Sequence, residues 1–586
     1  MKTSKLFLNT KKNVSKDISK GQAILEKGGF FYQTDVTGVY ACLPLGHRLI
    51  KNIEKITNEE LESAGFSHVE LATLQSQQLW ERSDRWSKYN ATQTMYTATD
   101  GRGNTFALAP TAEESAIQLM ESGAISYNNL PINIHQISTK YRNELRPRGL
   151  TRGRAFSMSD AYSSHATLQG MMEMFDDTLD AYHRIFTRIG LPVVDVQADS
   201  GSIGGSGSTE IVHVSPIGDD TILHCNSKSC TYAANVEKAN AVISQTTPEI
   251  NEKQIYEEVY TPGVKSVTEL CSHFDLKPNQ MIKTVIFEVI GCPAMPYVAA
   301  CIRGDLDVNP VKLSNLIDAI EINPACENDI KDLTGADVGF AGPINLNMPV
   351  FFDVSCRDMT DFICGCNQTD YHSINVNFDR ALKAPEAYYN LLMATEGMGC
   401  PSCLDGVLES NTAIELGHCF QLGKVYTKQM NFTVIDENGE SLNPYMGCYG
   451  IGITRVAAVC AEHFAHSHNK VVFPLSIAPF QVAIIPANTK DQSQLEIASL
   501  VEKHIKALRL TYLFEDRQMS FGKRLADQDL FGSPIRIIAG KLASQGIVEL
   551  HNLLIDDTQN IHINDLPTAI NKITSSEFLA EPTPFN

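Results

Sequence analysis

The alternation of apolar and polar residues predicts a chain built from several domains of mixed helices and strands. From about Gln22 the pattern is typical of a strand-like hairpin, followed by an amphipathic helix at residues 49–64 and a strand at 66–71. After Phe473 it changes to strands and a helix at 481–486, 494–508, 511–514 and 535–539. The chain is therefore predicted to end in a small α/β domain at residues 476–586.

The segment from 225 to 403 has the pattern of a separate α+β domain. Its predicted strands and helix lie at 281–290, 297–303, 311–320 (the helix) and 349–353. Two cysteine pairs, Cys225-x4-Cys230 and Cys400-x2-Cys403, flank this segment and mark it as an insertion. Because the ends of an inserted domain lie close together on the host, the pairs can form one four-thiolate Zn²⁺ site. Cysteines that hold no metal are the alternative, since the x4 spacing is a weak signal.

Residues 141–160 read YRNELRPRGLTRGRAFSMSD, which is the layout of a nucleotide-binding hairpin. Arg142 offers a planar donor fork for a phosphate, Glu144 can accept from an adenine amino group, and Phe156 can stack on the ring. A polyphosphate would be attracted by the local basic residues Lys140, Arg142, Arg146, Arg148, Arg152 and Arg154. A surface hairpin whose arginines are merely solvated is the alternative.

Residues 447–455 read GCYGIGITR and precede an apolar stretch at 456–459. Alternating glycines allow the backbone to approach a ligand, and Arg455 is predicted to open a helix. A strand packed behind a core helix would produce the same pattern. Cys448 has no His–Asp pattern around it, so we interpret it as a residue lining a pocket and not as a nucleophile. The chain contains no G-x-x-x-x-G-K-[ST] phosphate loop.

Together, the two segments resemble motifs 2 and 3 of the class II aminoacyl-tRNA synthetases. The resemblance implies an α+β catalytic domain whose antiparallel sheet binds ATP, with Mg²⁺ neutralising phosphate charge. Arg142 would bridge the amino-acid carboxylate and the α-phosphate, and Arg455 would contact the outer phosphates, which makes these two residues catalytic. The implied ATP-binding residues are Arg142, Glu144, Arg152, Phe156, Gln421 and Arg455.

Residues 108–114, LAPTAEE, resemble the Thr-x-Glu signature of the prolyl-tRNA synthetases. The ammonium group of proline has two N–H donors, and a Thr111 hydroxyl beside the Glu113 carboxylate can accept both while balancing the charge. The same residues also fit a capping box in which Glu114 caps the following helix, and both interpretations are compatible. The family further has a strand matching residues 415–423. The implied proline pocket consists of Thr111, Glu113, Arg142, His418 and Cys448.

The resemblance to the bacterial form of this family covers nearly the whole chain. It implies a catalytic domain at 1–224 and 404–475, an editing domain at 225–403 and an anticodon-binding domain at 476–586. An editing site has a rationale, because a pocket sized for proline discriminates against alanine by only about 1–3 kcal/mol. The positions that match the family's editing residues are Lys283, Asp353 and His372. The chain departs from the family pattern at Ala72, Ala155 and Leu306.

Composition and net charge indicate the class of protein, its mode of nucleic-acid contact and its cellular location. The chain has 586 residues, of which 43% are hydrophobic and 20% charged, as expected for several soluble globular domains. A net charge of −20 argues against indiscriminate nucleic-acid binding, so tRNA contact requires local basic surface. The candidates are the loop at 140–154 and Lys523-Arg524. No apolar run suggests a signal peptide or a membrane span, and fifteen scattered cysteines suit a reducing compartment, so a cytoplasmic location is expected.

The resemblance thus implies ATP-dependent attachment of L-proline to tRNA(Pro) through a prolyl-adenylate, with hydrolytic editing of alanyl-tRNA(Pro). The helix at 49–64 and the strand after it resemble motif 1, which implies a homodimer. A class II synthetase for another small amino acid such as threonine is one alternative. A synthetase-like regulator that charges no tRNA is another, and generic flavodoxin-like packing would also explain the C-terminal pattern.

Overall fold

The structure is a computed structural model that describes residues 1–14, 18–243 and 254–575. They divide into two compact units, the first comprising Met1–Val194, Gly204–His213 and Glu415–Asn586 and the second comprising Asp195–Ile203 and Val214–Ile414. Parts of the predicted insertion (244–253) and of the predicted C-terminal domain (576–586) lie outside the described residues. Within the described part of the chain, no helix is long and apolar enough to span a membrane.

An antiparallel sheet forms the centre of the first unit. The strand Ile132–Tyr141 pairs with Ala155–His165 from Ile132↔Ser164 to Tyr141↔Ala155, so the predicted nucleotide hairpin forms. Ala155–His165 then pairs with Tyr445–Ile451. Tyr445–Ile451 pairs in turn with the second half of Leu408–Gly423. The sheet therefore places residues that are far apart in sequence on neighbouring strands, such as Tyr445 opposite His165.

Helices cover this sheet. Leu168–Ile189 buries one apolar face that includes Phe175 and Tyr182, and Phe175 packs against Tyr449 with ring centroids 6.3 Å apart. Ile453–His463 is buried along most of its length, and Arg455 lies in its first turn, as predicted. The other helices of this part of the unit are Lys20–Lys27, Pro44–Ser63, Gln77–Arg82, Arg85–Ala91, Glu113–Gly123 and Val425–Gln429.

Two predictions for the N-terminal part were wrong in detail. Residues 20–27 form a helix and not a strand, because Ser19 caps it by accepting a hydrogen bond from the Gln22 N–H. The hairpin follows later, between Phe31–Gln33 and Tyr40–Cys42. Of the predicted strand at 66–71, only Ser67–His68 pairs as a strand.

The remaining short strands of this part of the unit pair locally. Leu74–Ser76, Thr105–Leu108 and Tyr96–Thr99 form a three-stranded sheet. Two small hairpins are formed by Val434–Ile435 with Ser441–Leu442 and by Ala465–Ser467 with Lys470–Val471. Gly207–Val214 is a further strand.

The C-terminal part of the first unit is the predicted α/β domain. Its sheet has the strand order Tyr512–Phe514, Val482–Pro486, Ile535–Ala539, Ile547–Asn552 and Asp557–His562, with the first three strands parallel. The helices are Gln492–Ala507, Phe521–Phe531 and Leu566–Ser575. A buried core that includes Val482, Val501 and Ile535 holds strands and helices together. All four segments predicted here are confirmed to within two residues.

Arg524 does not provide the basic surface predicted for this domain. Its side chain is only 1% exposed. Its guanidinium donates hydrogen bonds to the backbone carbonyls of Met519, Pro486 and Ala487. Arg524 therefore fixes the loop between strand and helix, and Lys523 alone remains of that predicted basic pair.

The second unit has a five-stranded and a three-stranded sheet. The larger sheet has the order Glu321–Pro324, Ile282–Ile290, Tyr297–Arg303, Val350–Asp353 and Tyr388–Tyr389. The smaller has the order Glu257–Tyr260, Tyr371–Val376 and Phe362–Gly365. The helices are Val267–Phe274, Pro310–Leu316 and Glu327–Thr334. The three strands predicted from the pattern are confirmed, and the predicted helix ends earlier, at Leu316.

The unit extends beyond the predicted insertion because additional strands pair next to it. Asp220–Cys225 runs antiparallel to residues 408–413 and to Ala233–Asn235. Val194–Ala198 is a further strand. Its first residue belongs to the first unit, and residues 195–198 belong to the second. Leu306 is buried in the core of the unit with Val298 and Leu313, so packing explains an apolar residue at this position.

Candidate active site

Thr111 and Glu113 form a buried polar turn at the start of the helix Glu113–Gly123. The Thr111 hydroxyl donates to both carboxylate oxygens of Glu113, at 2.8 and 2.7 Å. The capping box predicted for this turn was wrong, because the N-cap residue is Ala112 and no side chain caps the helix. Glu114 is instead buried and accepts from the Ser83 hydroxyl at 2.6 Å.

Arg85 holds the two carboxylates together, and the sequence analysis missed it. Its Nη1 atom donates to Glu113 Oε2 and to Glu114 Oε1, both at 3.0 Å. Its Nη2 atom donates to the Tyr89 hydroxyl at 2.5 Å. The guanidinium also lies 4.7–5.2 Å from the ring centroids of three aromatic residues, Trp80, Tyr89 and Tyr426. A buried cation in an aromatic cage thus faces two buried acids.

This arrangement separates the pKa values of the two acids. Burial acts to raise the pKa of Glu113, but the charge of Arg85 and the hydrogen bond from Thr111 outweigh it and hold that pKa below the ordinary value. Burial, together with repulsion from Glu113, raises the pKa of Glu114 despite the attraction of Arg85. Glu113 is therefore the carboxylate that stays ionised, which suits it to bind a cationic group.

Cys448 completes the polar turn from the neighbouring strand. Its Sγ atom donates to Glu113 Oε1 at 3.2 Å. Burial and the adjacent charge of Glu113 raise the pKa of the thiol well above its ordinary value, so it remains protonated. A thiol of this kind lacks the lowered pKa that nucleophilic cysteines require.

A hydrogen-bonded chain connects this turn to the hairpin. The Ala112 N–H donates to the Tyr162 hydroxyl at 3.0 Å, and that hydroxyl donates to Asp160 Oδ2 at 2.8 Å. Asp160 forms an ion pair with Lys140, whose side chain is 1% exposed. Lys140 was predicted as part of a basic surface, which is wrong because it neutralises a buried acid.

The loop of the hairpin carries the predicted nucleotide residues. Arg142 donates through Nε to the Pro110 carbonyl at 3.2 Å, and its guanidinium lies 5.5 Å from the Phe156 ring centroid. Arg152 pairs with Glu144 at 2.7 Å while its side chain is 56% exposed. Arg142 thus lies next to the Thr111–Glu113 turn, because Pro110 directly precedes it, and Phe156 lies beside Arg142.

The third part of the site lies on the strand Leu408–Gly423. Between residues 413 and 421, the only partly exposed positions are Glu415, His418 and Gln421. Arg455 donates to the Glu415 carboxylate and to the Thr151 carbonyl, at 2.7 and 2.8 Å, which ties this strand to the hairpin loop. Hydrogen bonding by His418 and the charge of Arg455 overcome burial and hold the pKa of Glu415 below its ordinary value.

Three potential metal ligands lie close together in this part of the site. Glu415, His418 and Glu210 offer donor atoms that all lie within 4.8 Å of one another. Carboxylate oxygens are ligands that Mg²⁺ accepts, whereas an imidazole is more typical of transition metals. The two glutamates are therefore the residues here that could hold Mg²⁺.

The glycines of the 447–455 segment have separate explanations. A Cβ atom at Gly447 would lie 2.1 Å from the Tyr449 hydroxyl, so packing within the sheet requires glycine there. At Gly450 the nearest heavy atoms would be 3.9 Å from such a Cβ, which leaves ordinary space. Close packing in the sheet thus explains the glycine at 447 and does not explain the one at 450.

The comparisons with known proteins agree with these motifs. Residues 96–464 match the tRNA synthetase class II core domain (G, H, P, S and T), and residues 481–573 match an anticodon binding domain. The proline–tRNA ligase of Caldicellulosiruptor saccharolyticus is 36% identical over 98% of this chain and 99% of its own length. The chain belongs to the proline–tRNA ligase family.

Other relatives support the same assignment. The proline–tRNA ligase of Lysinibacillus sphaericus is 38% identical over 94% of this chain and 95% of its own length. The crystal structure of prolyl-tRNA synthetase from Cryptosporidium parvum with L-proline and AMP covers 95% of this chain and 79% of its own, with a TM-score of 0.55 and 13% identity. At that identity, the structural likeness supports the fold alone.

The second unit contains a cavity of about 430 Å³ at the predicted editing residues. Lys283, His372 and Gly339 are among the residues that line it. Lys283 pairs with Asp307 at 2.5 Å. The Nδ1 atom of His372 hydrogen-bonds Thr261 at 2.7 Å. The structure thus brings two of the three predicted editing residues to one cavity.

Asp353 does not line this cavity. It is fully buried, and its carboxylate oxygens accept hydrogen bonds from the backbone N–H groups of Ser355 and Leu391, at 2.8 and 2.7 Å. Asp353 therefore fixes the end of the strand Val350–Asp353. Because Asp353 is not part of the cavity wall, it is not placed to contact a molecule bound there.

The four predicted zinc ligands converge in the second unit. Cys225 Sγ lies 3.5 Å from Cys403 Sγ, and Cys230 Sγ lies 3.7 Å from Cys400 Sγ. Backbone N–H groups of Ser227 and Ser402 donate to Cys225 and Cys400, each at 3.4 Å. A Cβ at residue 406 would lie 2.2 Å from Cys225 Sγ, so only glycine fits beside the cluster.

Proposed function

We propose that the chain attaches L-proline to tRNA(Pro) with ATP, through a prolyl-adenylate. The observation that carries this proposal is the buried turn in which Glu113 accepts from Thr111, Arg85 and Cys448. An ionised carboxylate there balances the charge of the proline ammonium and accepts its N–H groups. Family membership supplies the reaction, and this turn supplies a physical reason for the choice of amino acid.

The first step needs positioning and charge neutralisation more than proton transfer. The proline carboxylate is already ionised and attacks the α-phosphorus of ATP, releasing pyrophosphate. Arg142 is anchored through Nε to Pro110, so its terminal nitrogens can bridge the carboxylate and the α-phosphate. Arg152 and Arg455 contact the outer phosphates. Glu144 and Phe156 bind the adenine. His418 and Gln421 line the pocket. Mg²⁺ held by Glu210 and Glu415 would supply further positive charge.

Pyrophosphate exchange with proline, alanine and threonine in parallel tests this function. We expect proline to support the fastest exchange, alanine to support slow exchange because it fits the same pocket, and threonine to support none. Faster exchange with threonine would identify a different synthetase. Absence of exchange with all three amino acids, in protein that charges no tRNA, would favour the synthetase-like regulator.

We propose that the second unit hydrolyses alanyl-tRNA(Pro) in the cavity that contains Lys283 and His372. A lysine among the lining residues suits the negatively charged end of a tRNA, and the cavity of about 430 Å³ is large enough for a small aminoacyl group. Asp353 is assigned a supporting role in this proposal, because its oxygens bind the backbone.

Replacing Lys283 by Ala should slow hydrolysis of alanyl-tRNA(Pro) roughly tenfold or more, because a charge that contacts the substrate is lost. Prolylation should persist. Hydrolysis of purified alanyl-tRNA(Pro) measures the effect. Lys331→Ala is the matched control, since Lys331 is an exposed lysine of the same unit that pairs with Asp337 and does not line the cavity. Equal hydrolysis by Lys283→Ala and wild type would contradict the assignment.

We propose that Cys225, Cys230, Cys400 and Cys403 bind one Zn²⁺. In a tetrahedron with Zn–S bonds of about 2.3 Å, neighbouring sulfurs lie about 3.8 Å apart. The observed 3.5 and 3.7 Å distances are close to that value. The backbone N–H groups at Cys225 and Cys400 are the kind of partner that stabilises a bound thiolate.

Purified protein should contain thiolate-bound zinc, and Cys403→Ser should lose one equivalent per chain and unfold at a lower temperature. The loss follows because metal binding stabilises the folded ligand set. Elemental analysis and thermal melts measure both effects. Cys326→Ser is the matched control, because Cys326 is exposed and caps a helix, which serine does equally well. Wild-type protein without stoichiometric zinc would end the proposal.

A homodimer and a cytoplasmic location complete the proposal. The motif 1 elements correspond to the helix Pro44–Ser63 and the strand Ser67–His68. Light scattering should give twice the chain mass of 64.6 kDa, and the chain mass alone would contradict a dimer. None of the fifteen cysteines, all of which lie in the described part of the chain, forms a disulfide, which suits a reducing compartment. Fractionation of cells that express the chain would test its location, and recovery outside the cytoplasmic fraction would contradict it.

A further inference from the structure

We propose that Glu62, His68 and His135 form a binding site for a divalent transition metal, separate from the active site and from the cysteine cluster. The three residues offer two imidazole nitrogens and one carboxylate oxygen that all lie within 4.8 Å of one another. No step of the proline-charging mechanism uses any of them. The inference therefore does not depend on that mechanism.

The fold places these residues together through one helix and two neighbouring strands. The strand Ser67–His68 runs parallel to Ile132–Tyr141, with His68 directly opposite His135. Residues in register on neighbouring strands project from the same face of the sheet, and the two imidazole rings lie 4.7 Å apart at an angle of 34°. Glu62 is in the last turn of the helix Pro44–Ser63, just before the chain enters the strand.

His135 is the observation that points to a ligand. Its side chain is 0% exposed, and neither ring nitrogen has a hydrogen-bond partner among the described residues. Buried polar atoms are nearly always paired, so an imidazole with two unpaired nitrogens requires an explanation. A metal bound to one of these nitrogens would provide a partner that the protein itself does not.

The donor set selects the class of metal. Two imidazoles and one carboxylate suit Zn²⁺ and its neighbours Co²⁺ and Ni²⁺, whereas Mg²⁺ and Ca²⁺ prefer oxygen alone. Bonds of about 2.0–2.1 Å to a tetrahedral Zn²⁺ require donor atoms about 3.3 Å apart. Glu62 and His68 are exposed, so their side chains can turn toward the fixed, buried His135. Three protein ligands leave one position for water or another group.

The competing explanation is a pair of stacked histidines that only fills space. The two explanations differ in what the exposed members of the cluster do. If the two histidines only fill space, Glu62 is not a ligand, and changing Glu62 has no effect on metal content. If the cluster is a metal site, loss of either Glu62 or His68 removes a ligand and weakens binding.

Native mass spectrometry of the full chain, saturated with Zn²⁺ and freed of excess metal, tests the proposal. We expect His68→Ala and Glu62→Gln each to carry one zinc fewer per chain than wild type, or to bind that zinc at least tenfold more weakly in a calorimetric titration. His468→Ala is the matched control, because it removes an exposed histidine outside the cluster and should leave the zinc count unchanged. Proline-dependent pyrophosphate exchange by the same samples verifies that they are folded.

Equal zinc content and affinity in wild type, His68→Ala and Glu62→Gln would overturn the proposal. The cysteine cluster does not confuse the result, because Cys403→Ser removes thiolate-bound zinc and should leave the histidine site filled. The site lies on the elements proposed to form the dimer. Native mass spectra separate monomer from dimer by mass, so they report the zinc content of each oligomeric state. Absence of the additional zinc from every state would also reject it.

Discussion

Replacing Glu113 by Gln should reduce kcat/KM for proline in pyrophosphate exchange by about 10²- to 10³-fold. The substitution keeps the shape of the side chain but removes the charge that balances the proline ammonium. Losing one partner of a buried, hydrogen-bonded charge pair costs about 3–4 kcal/mol, which corresponds to that range. Most of the loss should be in KM for proline, while KM for ATP should change little.

Two matched variants test whether the effect belongs to Glu113. Glu114→Gln removes the neighbouring buried carboxylate, which bonds Ser83 and Arg85, and should change kcat/KM for proline by less than tenfold. Cys448→Ala removes a weak donor to Glu113 and should leave adenylate formation substantially intact. Comparable losses in Glu113→Gln and Glu114→Gln would show that total charge matters and that Glu113 is not the proline ligand.

The parts of the fold that were predictable from the sequence are those with strong local signals. The strand Ile535–Ala539 was predicted to the residue, because four of its five positions are apolar and all five are buried, with Arg536 the one charged member. The helix Pro44–Ser63 was predicted to begin five residues late. Its N-cap is Leu43, which makes no side-chain cap, so the usual polar start signal is missing and only Pro44 marks the first turn.

The site was predictable only where its residues are close in sequence. Thr111 and Glu113 could be identified because they lie in one short motif. Arg85 could not, since its partners lie 28 and 29 positions further along the chain. Basic residues give the opposite error, because Lys140 and Arg524 were counted as surface charge although both are buried. Lys140 pairs with Asp160, and Arg524 donates hydrogen bonds to backbone carbonyls. A sequence records a charge but not the distant group that neutralises it.

The second large effect concerns stability: Arg85→Met should destabilise the first unit by about 3–5 kcal/mol. The loss arises because two buried carboxylates would remain without their shared cation. The chain has only two tryptophans, Trp80 and Trp86, and both flank this arginine. Urea unfolding followed by tryptophan fluorescence therefore reports the stability of this region directly.

A double variant separates this electrostatic explanation from a simple packing defect. In Arg85→Met with Glu114→Gln, one of the two uncompensated acids is gone, so part of the lost stability should return. Arg82→Met is the surface control, because the Arg82–Glu121 pair is partly exposed and should contribute much less. If the double variant is no more stable than Arg85→Met, the cage of Trp80, Tyr89 and Tyr426 stabilises the region through packing. Arg85 would then not be the cation that keeps Glu113 ionised for proline.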